Sequence, residues 1–130
     1  MACFLVPAAE AAVVMAVNRT VRSREEKAAS EAPALHAETA VPFSRKLRWL
    51  SNLLWGGSAL LAFEHVWHGE VIPWFPFLTA AANPQDTAAM LHEMSTVGVA
   101  MALAVTAVWA GMVLVSNALE RRGAPEETAQ

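Results

Sequence analysis

The chain has no tyrosine, one cysteine and few charges, with Asp, Glu, Lys and Arg making up only 16% of 130 residues. An average soluble domain carries roughly 25%. That shortage, beside 55% hydrophobic residues, excludes an intrinsically disordered chain and argues against an ordinary water-soluble globule. A lone Cys3 excludes an intramolecular disulfide and any multi-cysteine zinc or iron–sulfur site. A formal charge of −3 lacks the basic balance of a nucleic-acid binder, so no nucleic-acid partner is expected. No phosphate-binding loop and no nucleophile motif is present, and His92-Glu93 lacks the second histidine of an HExxH pattern because Thr96 stands there. These absences point away from an enzyme. The length allows one domain.

Cations are missing from most of the chain as well. The nine basic residues are Arg19, Arg22, Arg24, Lys27, Arg45, Lys46, Arg48, Arg121 and Arg122, and none falls between Trp49 and Glu120. Much of that interval is apolar. Met94–Val115 is an uncharged run of 22 residues, which at about 1.5 Å per residue covers a hydrocarbon core of about 30 Å. A core helix of a soluble protein is the competing reading, but a chain this short rarely surrounds one on every side. A second apolar stretch begins near Leu47, with Trp49 and Trp67 at the positions of interfacial belts, and a third covers the N-terminus.

The expectation is therefore an all-α membrane protein with three transmembrane helices, over about 2–18, 47–69 and 90–115, forming one membrane domain. The basic residues flank the first two spans on one side and follow the third, which predicts the N-terminus outside and the C-terminus inside. Residues 19–46 are expected to form a cytoplasmic loop whose start prolongs the first helix, and 123–130 a disordered tail. No basic n-region precedes the first apolar stretch, so it reads as an uncleaved anchor of a multi-pass cell-membrane protein. Between the second and third spans, residues 71–82 (VIPWFPFLTAAA) are apolar but broken by prolines. Such a segment suits an interfacial or re-entrant position, anchored by Trp74, Phe75 and Phe77. Asp86 or Thr87 is the expected cap of the helix that follows.

Chemistry concentrates on the side without cations. Glu64, His65 and His68 have spacings that place them on one helix face. His92 and Glu93 open the returning helix, so the five side chains form a candidate site for a divalent metal such as zinc, iron or manganese. Haem on facing histidines is less favoured, because an apolar slot is needed and the rim is polar. The competing reading is a helix end that is simply leaving the bilayer, where such groups cost little. Glu10 interrupts the N-terminal stretch. It is expected to act as a proton relay or to make an interhelical polar contact, with a partner such as Asn52 or Ser58. Gly98, Ala102, Thr106 and Ala110 form a row of small residues at i,i+4 spacing, suited to close helix packing. Cys3 reads as an inert apolar residue. A three-helix protein with such rows is expected in a homo-oligomer or larger membrane complex. It would serve as a metal-binding accessory of a transport or redox assembly, as a non-enzymatic structural or regulatory subunit, or as an oligomeric proton or ion path through Glu10.

Overall fold

A computed structural model describes residues 2–31 and 41–123. Within them the chain is helical throughout, apart from one ordered connection. Helix α1 runs over Leu5–Glu31 and α2 over Phe43–Trp67. Helix α3, Pro84–Glu93, passes through a π-helical turn, Met94–Gly98, into α4, Val99–Gly123. The last three pieces form one continuous rod, so the fold is a bundle of three long helical rods.

Alanine favours helix in the first half of α1, and Pro7 sits in the opening turn, where a missing N–H does no harm. The second half is solvated and includes the exposed i,i+4 pair Arg22–Glu26 at 2.8 Å, worth a few tenths of a kcal/mol. Helix α2 has no side-chain cap of its own. Instead Glu25 of α1 accepts from the Ser44 amide at 3.2 Å, placing a carboxylate at the positive end of α2. At the other end Gly69 takes φ +73 and its N–H bonds Val66 O at 3.0 Å, a left-handed stop that suits glycine.

The connection after α2 folds into a small hairpin. Val71 and Leu78 pair as an antiparallel bridge, Ile72 N donates to Phe77 O at 2.8 Å, and a helical turn, Thr79–Ala82, follows. Trp74, Phe75 and Phe77 point outward, Phe75 with 86% of its surface free. The cap of α3 is Asn83, three residues before the expected Asp86: its Oδ1 accepts from Asp86 N at 2.8 Å, and Pro84 occupies the first helical position.

Three transmembrane helices are not what the chain forms. Among the described residues only the rod Pro84–Arg122, 39 residues, is long and apolar enough to cross a membrane. Helix α1 turns charged at Arg19, so its apolar part is too short. Helix α2 has the length, but Ser51, Asn52, Ser58, Glu64 and His65 dilute its apolar character. The orientation and re-entrant segment inferred from three spans fall with them. Residues 19–31, expected in a loop, continue α1. Residues 32–40 and 124–130, which hold part of the expected loop and nearly all of the expected tail, lie outside the described residues.

The core is small. Ala11, Leu50 and Leu54 are buried together, with Val14, Val105 and Trp109 packed around them. Helix α1 lies mainly along α2, and the α3–α4 rod packs across both. Two contacts fix its register. Gly98 lies against Val6 and the Cys3 carbonyl, and Thr106 bonds Glu10. Helices α1 and α4 therefore run in the same direction, with α2 antiparallel to both.

Candidate functional site

The five residues of the expected metal site part company at the end of α2. That helix stops at Trp67, and His68 is its C-cap, with its N–H still bonded to Glu64 O at 3.0 Å. His65 turns inward and is 7% exposed, whereas Glu64, His68 and His92 face outward and Glu93 is half-buried. Among the described residues no three His, Cys, Asp or Glu side chains come together as a metal-holding group.

His65 instead meets Cys3, which reads as an inert apolar residue in the sequence. Its Nε2 lies 3.2 Å from Cys3 Sγ and 3.9 Å from Glu70 Oε2. The Phe4 ring stands edge-on to the imidazole, with centroids 5.5 Å apart. Burial holds the His65 pKa below its ordinary value, and Glu64 and Glu93 oppose that shift without cancelling it. The residue is thus kept neutral around pH 7. A neutral imidazole beside a thiol is the arrangement of a base and a nucleophile. Here the same contact also fastens the N-terminal segment to α2.

Gly98 completes this junction. A Cβ there would stand 2.8 Å from Val6 Cγ2 and 3.1 Å from Cys3 O. The π-helical turn just before α4 delivers Gly98 to this contact. Ser95 Oγ and Thr96 Oγ1 both donate to His92 O at 2.8 Å. Ala102 is buried one turn on, whereas Ala110 is exposed. The small-residue row thus meets α1 through its first three members, Gly98, Ala102 and Thr106.

Thr106 Oγ1 donates to Glu10 Oε1 at 2.6 Å, joining α4 to α1. Neither Asn52 nor Ser58 partners Glu10, and Ser58 Oγ is buried with no partner among the described residues.

A second polar centre, at the opposite end of the bundle, escaped sequence reasoning. Lys46 is 5% exposed. Its Nζ donates to Asn117 Oδ1 at 2.6 Å and lies 3.1 Å from Glu120 Oε1. Ser116 Oγ donates to the same carboxylate at 2.9 Å, and Trp109 Nε1 donates to Lys46 O at 2.7 Å. The signal was there but faint: Lys46 shares its helix face with Leu50 and Leu54, and Asn117 and Glu120 are one turn apart on α4.

No family model, curated protein or solved structure matches this chain, so its function is argued from its own geometry.

Proposed function

We propose that the protein is a non-enzymatic structural subunit of a membrane assembly, held in the cell membrane by the α3–α4 rod and presenting its outer apolar surface to lipid and to neighbouring membrane helices. One observation carries this reading. Only 11% of the most apolar window of that rod is buried within the bundle. Leu103, Val108, Leu114, Val115 and Leu119 all lie open along it. A core helix of a soluble protein would be covered, and a bare apolar surface of this length needs a non-aqueous neighbour. Phe63 and Trp67 on α2 and the aromatic tip Trp74–Phe77 extend the open apolar surface towards the acidic end, where such side chains suit a membrane interface. The polar contacts that can be assigned, Glu10–Thr106 and Lys46–Asn117–Glu120, join helices of the same chain. They supply a rigid scaffold.

The test has two parts. Membranes expressing the chain are washed at alkaline pH, and a photo-crosslinking residue is placed at Leu103 or Val108. The chain is expected to stay with the membrane pellet and to give a discrete protein adduct as well as lipid adducts. Release into the supernatant as a monomer would overturn the membrane reading, and lipid adducts alone would remove the assembly partner.

A further inference from the structure

Helix α2 is apolar on two sides. Leu47, Leu50 and Leu54 face the bundle and are buried. On the outer side Trp49, Leu53, Gly56, Leu60, Phe63 and Trp67 follow one another at intervals of four, three, four, three and four residues. Trp49 is half-buried and the other five are exposed. Leu60, Phe63 and Trp67 each keep two-thirds or more of their surface free.

Three features mark this stripe as a seam for another helix. Its spacing averages 3.5 residues, the repeat that holds apolar side chains on the contact line of two supercoiled helices. It is narrow, with exposed Asn52 on one flank and exposed Glu64 on the other, whereas contact with lipid alone asks for no polar border. Gly56 stands in its middle. A Cβ there would meet nothing within 4 Å, so no contact inside the chain calls for a residue that weakens the helix. Bare backbone at that point admits a second helix closely.

The seam suits a second copy of itself. With two α2 helices parallel and in register, each seam residue meets its own counterpart. Asn52 of one copy then flanks Gly57 of the other, and Ala59 flanks Glu64, so no like charges face each other across the seam. Closing it covers roughly 500 Å² per copy, a large aromatic alone supplying about 150–250 Å². The total of about 1,000 Å² is the size at which specific interfaces begin.

We infer that two copies of the chain pair through the outer face of α2, parallel and related by a two-fold axis, with their backbones closest at Gly56. The parallel sense rests on the membrane reading above, because copies inserted in one direction present α2 alike. The pairing itself is measured in detergent, apart from the membrane wash, so each reading can fail alone.

The full chain, purified in a nonionic maltoside, is weighed by light scattering with the detergent subtracted. The protein mass is expected to be twice 14.0 kDa. Leu60 touches little of its own chain, so Leu60→Glu should keep the wild-type helix content yet raise the dimer dissociation constant at least about tenfold. Leu114→Glu, at an equally open leucine of α4, should leave the dimer intact. A second measurement stands if these variants fail to fold. Single cysteines replace Leu53, Gly56, Leu60 or the exposed off-seam Val66 in a Cys3→Ser chain, and native membranes are oxidised with copper phenanthroline. Disulfide-linked dimers are expected at the three seam positions and not at Val66. A monomeric mass, loss of the dimer in Leu114→Glu but not Leu60→Glu, or equal cross-linking at Val66 would each overturn the pairing. So would adducts at Leu60 to a different protein with none between copies. Self-cross-links confined to the middle of α2 would overturn the parallel sense.

Discussion

At the scale of single residues, the informative groups are those whose partners lie far away in the chain. His65 stood out in the sequence for its company, Glu64 and His68, yet the group it touches is Cys3, 62 positions away. Local spacing has no access to such a contact, which is why Cys3 read as inert. The contact makes a pH prediction. A histidine whose folded pKa is depressed binds fewer protons folded than unfolded, so stability rises with pH across the window between the two values. The His65 contribution is therefore complete above the unfolded value of about 6.5 and is lost as pH falls below it. Melting temperatures of wild type and His65→Gln in detergent, measured from pH 7.5 down to pH 5, check this. The wild type should lose more stability over that interval than the variant; parallel curves would show that the imidazole is not titrating against the fold.

Whole elements were legible where one physical requirement dominated and illegible where several competed. The Met94–Val115 run carries no charge, so its helix followed from composition. Helix α2 mixes Leu50, Leu53, Leu54, Leu60 and Leu61 with Ser51, Asn52 and Glu64. Its length suggested a span that its polar residues do not support. The junction between α1 and the α3–α4 rod depends on one missing Cβ at Gly98, and a row of small residues announces close packing without naming the partner. That partner is α1, through Val6 and the Cys3 carbonyl. Gly98→Ala should therefore destabilise the bundle by about 1–3 kcal/mol through overpacking, partly offset by a gain in helix propensity of up to about 1 kcal/mol. Most of the clash is with the Val6 side chain and the remainder with the Cys3 carbonyl. In a double-mutant cycle, Gly98→Ala should then cost less in a Val6→Ala background than alone. Strict additivity would show that α1 does not press on the rod at this point.

At the scale of the molecule, the question is what medium surrounds α4. Its rod is 39 residues long, or about 58 Å at the usual rise, well beyond a hydrocarbon core of about 30 Å. Only its middle can be immersed, and polar ends must project on both sides. Asp86, His92 and Glu93 lie at one end and Asn117, Glu120, Arg121 and Arg122 at the other. Leu103 sits between them with 64% of its surface free. The two possible surroundings respond oppositely to a charge there. In water, Leu103→Arg alters an exposed side chain that touches little and should change stability by no more than about 0.5 kcal/mol. In a bilayer, the same arginine near the helix centre should cost about 2.5–3.5 kcal/mol in insertion. Membrane-inserted fractions of wild type, Leu103→Arg and Leu103→Ala, measured side by side, separate the cases. A marked fall for arginine with little change for alanine is the expected outcome. If arginine and alanine behave alike, α4 is not immersed in a bilayer.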